Sequence, residues 1–131
     1  MSDRSVFWED LAEDLKDPEF LREFVLSSIR IKTIDSIINT LDEARDESDL
    51  TKAGLARAAS LDPSVVRRLF SADSNPTLRT LSDLAAAVGL RVTLAPLQGS
   101  EIIVEALRSG EAGDSTSLTS AVEQLDCAGV G

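Results

Sequence analysis

Residues 50–90 read LTKAGLARAASLDPSVVRRLFSADSNPTLRTLSDLAAAVGL, and their punctuation predicts three short helices separated by two breaks. Thr51 can cap the first, which runs to Ala59 with Leu55 and the small Ala56 on one face. Ser60 and Leu61 make a turn. Asp62-Pro63 then restarts the chain, Asp as a cap and Pro at the first helical position, where its missing N–H costs nothing. This second helix reaches about Phe70 and is expected to bury Val66 and Leu69, leaving Ser64, Val65, Arg67 and Arg68 on its other faces. Residues 71–76 break the pattern. Thr77 caps a third helix whose inner stripe is Leu78, Leu81, Leu84, Ala85 and Val88, and Gly89 stops it.

Two short helices joined by a tight turn, the second offering a serine and two arginines, is the geometry by which a helix-turn-helix lays one helix in a major groove. The net charge of −10 looks hostile to DNA until it is divided along the chain. Residues 1–49 hold 14 acids against 6 bases and residues 99–131 hold 6 against 1, whereas residues 50–98 hold 3 against 6. The positive charge is therefore concentrated in the segment that resembles a DNA reader, where a phosphate-facing surface needs it. The competing reading of Arg67-Arg68 is a solvated helix face. The acidic flanks should weaken non-specific binding and make affinity depend on a dimer and a defined site.

The 131 residues bound one domain, or one domain with a tail. Apolar residues make up 43% but aromatics only 4%, so the core must be built of Leu, Ile, Val and Ala, as in a compact helical protein. No apolar run approaches the ~20 residues of a membrane span. The start, MSDRSVFWEDLAEDL, lacks the basic and apolar regions of a secretory signal, and the cytoplasm is the expected compartment. A single cysteine, Cys127, excludes an internal disulfide and any multi-cysteine zinc site. With no His or Tyr, no phosphate-binding glycine loop and no metal motif, neither an enzyme nor a cofactor is expected. The carboxylates Glu9, Asp10, Glu13, Asp14 and Asp17 scatter over several helix faces and read as solvated.

Outside the central stretch, Trp8, Leu11, Ala12 and Leu15 recur at helical spacing, and Asp17-Pro18 repeats the cap-and-proline signal for a second helix. Its stripe is Phe20, Leu21, Phe24, Val25 and Ile29. Residues 30–33 are ambiguous, with Thr33 a possible cap for a further helix through Ile34, Ile37, Ile38, Leu41 and Ala44. Phe7 and Trp8 are expected as a buried anchor, or alternatively as an exposed pair for a partner's groove. After Gly89, Leu90, Val92 and Leu94 alternate with Arg91, Thr93 and Ala95 up to Pro96. That is a short strand pattern, which would have to pair, for instance with its copy in a second subunit. Residues 102–107 suggest two or three helical turns, 109–117 a linker, 121–125 a weak helix, and the end a mobile tail.

The residues Leu50-Thr51, Leu55-Ala56, Ser60-Leu61, Val66, Leu69, Asn75-Pro76, Leu78, Thr80-Leu81, Ala85 and Val88-Gly89-Leu90 resemble the lambda-repressor-like, or Xre-type, helix-turn-helix family. Within it, Leu15-Lys16-Asp17-Pro18-Glu19-Phe20, Leu69-Phe70-Ser71 and Val88-Gly89-Leu90-Arg91-Val92 with Pro96 are similar to the addiction-module antidote proteins, the HigA-like antitoxins of type II toxin–antitoxin pairs. The chain departs from the pattern at Ser60, where such turns often carry Gly, and at Ala53-Gly54, which weaken their helix. The resemblance implies an all-α, lambda-repressor-like helix-turn-helix bundle with extra N-terminal helices and a short C-terminal strand. The charge split divides the chain into acidic N-terminal helices packing on the core (1–49), the DNA-binding region with its strand (50–98) and an acidic, partly flexible extension (99–131) that lies outside the resemblance. The resemblance also implies a homodimer on operator DNA, a cognate toxin as protein partner, and autorepression of the operon. Carried over by position, it places base reading on Pro63, Ser64, Val65 and Arg68 with Arg67 beside them and Ser71 at the end of that helix, and phosphate contacts on Lys52 and the amides near Thr77. A stand-alone or phage-type repressor, and an interaction module that no longer binds DNA, remain the alternatives.

Overall fold

The computed structural model describes residues 3–71, 74–97 and 99–125, and these form seven helices and no strand. In chain order they are α1 (Asp3–Asp14), α2 (Pro18–Glu47), α3 (Lys52–Ala58), α4 (Pro63–Leu69), α5 (Leu78–Ala87), α6 (Glu101–Ser109) and α7 (Ser115–Glu123). The chain divides into two compact units. One is drawn from both ends of the sequence, Met1–Thr33 with Pro96–Cys127, and the other centres on Ile34–Ala95. Packing thus cuts the chain at different points from 49/50 and 98/99. Residues 34–49 belong with the three short helices, and the tail belongs with the amino-terminal helices.

The central unit is built from the second half of α2 and from α3, α4 and α5 around Leu41, Leu55, Ala56, Ala59, Val66, Leu69, Leu84 and Ala85. Its turns carry what the local sequence demands. Three helices end in the same way, with the second residue past the helix left-handed and paired backbone bonds reaching back across the last turn. After α2, Asp49 has φ 57° and the Leu50 amide donates to the Arg45 carbonyl at 3.1 Å. After α3, Ser60 has φ 56° and the Leu61 amide donates to the Ala56 carbonyl at 2.8 Å. After α5, Gly89 has φ 78° and the Leu90 amide donates to the Ala85 carbonyl at 2.7 Å. Only the last uses glycine, the residue without a Cβ to clash there. Arg45 secures the first of these turns, its Nη1 donating to the Leu50 carbonyl at 2.6 Å and its Nε to Asp42 at 3.0 Å.

The other unit packs α1, the first half of α2, α6 and α7 around Leu15, Leu21, Val25, Ile103, Ala106, Leu118, Val122 and Leu125. Asp17 caps α2 as its sequence predicts, accepting from the Glu19 amide at 3.1 Å. Two cations on α2 close the open carbonyl ends of the tail helices. Arg22 Nε donates to the Leu107 carbonyl at 2.9 Å, and Lys32 Nζ to the Val122 and Glu123 carbonyls at 2.8 and 2.6 Å. A positive group at a helix carboxyl end satisfies orphan carbonyls and complements the macrodipole. Gly110, the cap residue of α6, has φ 77°, and a Cβ there would lie 2.9 Å from the Pro18 Cβ, so backbone and space both require glycine.

Several expectations are corrected. Thr33 caps nothing: α2 runs unbroken for 30 residues, because residues 30–33 contain neither Gly nor Pro and nothing there stops a helix already growing. The strand at 90–94 is not formed, since a strand exists only where a neighbour takes its amides and carbonyls, and this chain offers none among the described residues. Leu78 is 68% exposed, because as the first residue of α5 it lies a turn beyond the buried layer of Leu84 and Ala85. Phe20, Phe7 and Trp8 are exposed rather than anchoring, with Phe20 stacked on Phe24 at 6.5 Å and Phe7 edge-on to Trp8 at 5.4 Å. The supposed linker 109–117 is helical from Ser115, where Asp114 caps α7 by accepting from the Thr116 amide at 3.2 Å. Cys127 and the expected mobile end lie outside the described residues. Among the described residues no helix is long and apolar enough to cross a membrane, and no group of three or more His, Cys, Asp or Glu could hold a metal ion.

Candidate nucleic-acid interface

The exposed face of α4 is fixed by what its other face buries. Val66 and Leu69, three apart, turn into the core with 0% and 2% exposure, and that forces Pro63, Arg67 and Arg68 into solvent and leaves Ser64 and Val65 half-buried. The helix starts where its sequence says. Thr51 caps α3 by accepting from the Gly54 amide at 2.9 Å, the chain turns at Ser60, and Asp62 caps α4 by accepting from the Ser64 amide at 2.8 Å. That amide and then the Ser64 hydroxyl, with smaller help from the charges of Arg67 and Arg68, hold the Asp62 carboxyl below the ordinary carboxylate range against the opposing effect of desolvation. Asp62 is therefore an anion at neutral pH, at the end of α4 where the helix dipole favours one.

Between the carboxyl end of α4 and the start of α5 lies a groove of about 430 Å³ lined by Val65, Arg68, Leu69, Ser71, Ser74, Asn75, Pro76, Thr77 and Thr80. It gathers four of the eight residues expected to meet DNA: Val65, Arg68, Ser71 and Thr77. Pro63, Ser64 and Arg67 sit on α4 outside its lining. Lys52 is on the neighbouring α3, its ammonium 5.2 Å above the ring of Phe70, so a cation–π contact parks the charge beside the end of α4. Thr77 caps α5 by accepting from the Thr80 amide at 3.1 Å, leaving the first amides of α5 unbonded within the helix, with Arg79 exposed beside them. Ser71 caps the other side, its hydroxyl donating to the Arg68 carbonyl at 2.6 Å.

The groove also contains residues that pattern reading passes over. Asn75 is exposed on it, and the Ser74 hydroxyl is buried with no hydrogen-bond partner among the described residues. The signal was present as the polar run Ser74-Asn75 before Pro76, but a turn composition explains such residues without assigning them any contact. The surface is thus a convex helix edge with two guanidiniums next to a polar groove and a helix amino terminus. It is chemistry suited to a phosphate backbone with base edges behind it.

Compared with models of protein families, residues 41–94 match the family described as Helix-turn-helix. The matched span starts at the buried Leu41 of α2, covers α3, α4 and α5, and leaves α1, α6 and α7 outside. No curated protein and no solved structure matches the chain. The match falls within the central unit, and a helix-turn-helix match there points to a DNA-binding transcription regulator.

Proposed function

We propose that this chain is a sequence-specific repressor that reads operator DNA through α4 as a symmetric dimer, and that it serves as the antitoxin of a type II toxin–antitoxin module. The observation that carries the first part is the exposed Arg67-Arg68 edge of α4, held beside the groove and the start of α5 in the only net-basic segment of an acidic chain. An arginine on that helix grips guanine O6 and N7 together, Val65 meets a thymine methyl, and Ser64 takes either base edge. Lys52 and the α5 amides at Thr77 set register on phosphates and carry no sequence information. In a dimer the two α4 helices would enter successive major grooves with half-sites ~34 Å apart.

Gel-shift titration against the chain's own promoter tests this. Arg68→Ala should cost ~1–3 kcal/mol of operator binding and relax specificity at one base pair, while Lys52→Ala should weaken specific and random DNA about equally. Wild-type binding by both variants sinks the assignment of the reading face.

The antitoxin part is supported by the likeness of residues 15–20, 69–71, 88–92 and Pro96 to addiction-module antidotes and by the acidic amino-terminal helices, which suit a basic partner surface. Reversing the charge of Glu9, Glu13 and Glu23 should slow association with the toxin, most strongly at low salt. A gene neighbourhood without a small toxin-like reading frame rules this part out and leaves the repressor standing.

A further inference from the structure

Residues 91–96 are exposed throughout, and their composition is wrong for a linker. Leu90-Arg91-Val92-Thr93-Leu94 is made of strand-forming residues, where a flexible connector would be Gly, Ser or Pro. Leu90, Val92 and Leu94 are 41%, 38% and 99% exposed, alternating with polar or small neighbours. Among the described residues, no hydrogen bond reaches the backbone of residues 91–97. The Leu90 amide is taken by the Ala85 carbonyl at 2.7 Å; from Arg91 onward the run leaves its amides and carbonyls open, an edge prepared for another chain.

We propose that residues 90–96 pair with the same residues of a second copy as an antiparallel two-stranded ribbon whose two-fold axis passes at Thr93. The segment is self-complementary in this register. Val92 faces Leu94 of the second copy and Arg91 faces its Ala95, so no like charges oppose one another. All six leucine and valine side chains fall on one face of the ribbon, because directly opposed residues in an antiparallel pair share a face. Pro96, which has no amide to donate, lies at the outer end opposite Leu90, where a ladder tolerates it. An isologous contact of this kind is what a two-fold pair of reading helices requires, and it gives the dimer of the proposed repressor a physical seam. The inference rests on that reading only for its purpose; the pairing itself is open to test without DNA.

The single cysteine makes the test direct. In a Cys127→Ser background, Thr93→Cys places two thiols directly opposite across the axis, at a separation a disulfide spans. Mild oxidation at micromolar protein, without DNA, should give a covalent dimer on a non-reducing gel. Arg91→Cys alone should not, whereas Arg91→Cys with Ala95→Cys should. Far-ultraviolet circular dichroism confirms that each variant is folded. Crosslinking of Arg91→Cys as efficient as that of Thr93→Cys means random collision and overturns the proposal. So does a folded Thr93→Cys chain that stays monomeric. A chain that crosslinks as expected yet ignores its promoter leaves the ribbon and removes the reader; promoter binding without any crosslink does the reverse.

Discussion

Ser60 holds φ at 56° with a side chain that the left-handed region disfavours, yet the Leu61 amide still reaches the Ala56 carbonyl at 2.8 Å. The turn before α4 is therefore made against a local penalty of about 1–2 kcal/mol. Ser60→Gly should remove that penalty at some entropic cost in the unfolded chain, for a net gain of about 0.5–1 kcal/mol. Urea denaturation should show a higher midpoint, and a lower one would mean the Ser60 side chain makes a contact that outweighs the strain. Asp62 gives a pH signature. Its folded-state carboxyl titrates below the unfolded one, so its contribution is complete above the ordinary carboxylate value, near pH 4, and is lost as pH falls through the lowered folded value. Asp62→Asn keeps the capping oxygen but should abolish that part of the acid dependence, read as a flattening of midpoint against pH as pH falls below the ordinary carboxylate value.

At the scale of elements, the tail helices depend on α2. Lys32 Nζ closes the carbonyl end of α7 with bonds of 2.8 and 2.6 Å, a charged donor on one part-buried and one exposed carbonyl. Lys32→Met keeps the apolar stem and removes the donor, which should cost about 1.5–3 kcal/mol. Native-state hydrogen exchange should speed up through residues 118–125 while protection in α3 and α5 stays unchanged. Unaltered exchange in α7 would show that Leu118 and Val122 hold the helix without its cap. The seven-residue α3 and α4 are too short to persist alone and owe their existence to Leu55, Val66 and Leu69 meeting in one core, with Thr51 and Asp62 setting only where each begins.

For the whole molecule, the two compact units make the tail structural in one place and dispensable in another. Ending the chain after residue 98 removes Ile103, Ala106, Leu118 and Val122, and so strips Leu21 and Val25 of the partners that bury them. Helicity should then fall by more than the deleted residues account for, because α1 and the start of α2 lose their packing surface, as circular dichroism would record. Promoter binding should survive, since Leu41, Leu55, Val66, Leu69 and Leu84 all lie within Ile34–Ala95. Non-specific DNA binding should tighten, because five net negative charges have gone. Loss of promoter binding by the truncated chain would place part of the reader in the tail.

The sequence by itself determined the local grammar of the reader. The caps at Thr51, Asp62 and Thr77, the stop at Gly89 and the buried pair Val66 and Leu69 follow from side chains acting within a few residues of themselves, and each is read without knowing what lies opposite. Everything that depends on a distant partner was decided by the tertiary structure. Residues 30–33 offer Thr33 as a possible cap but no Gly or Pro to stop a helix, so whether α2 broke there rested on packing; it continued, and its two halves joined different cores. Residues 109–117 read as linker because apolar residues are sparse there, yet α7 starts at Ser115, and Lys32, 90 positions away from Val122, supplies the carbonyl cap at its far end. The alternation at residues 90–94 shows the limit from the other side. Periodicity announces a strand's faces, but a strand's backbone bonds are made by its neighbour, and one copy of this chain does not contain that neighbour.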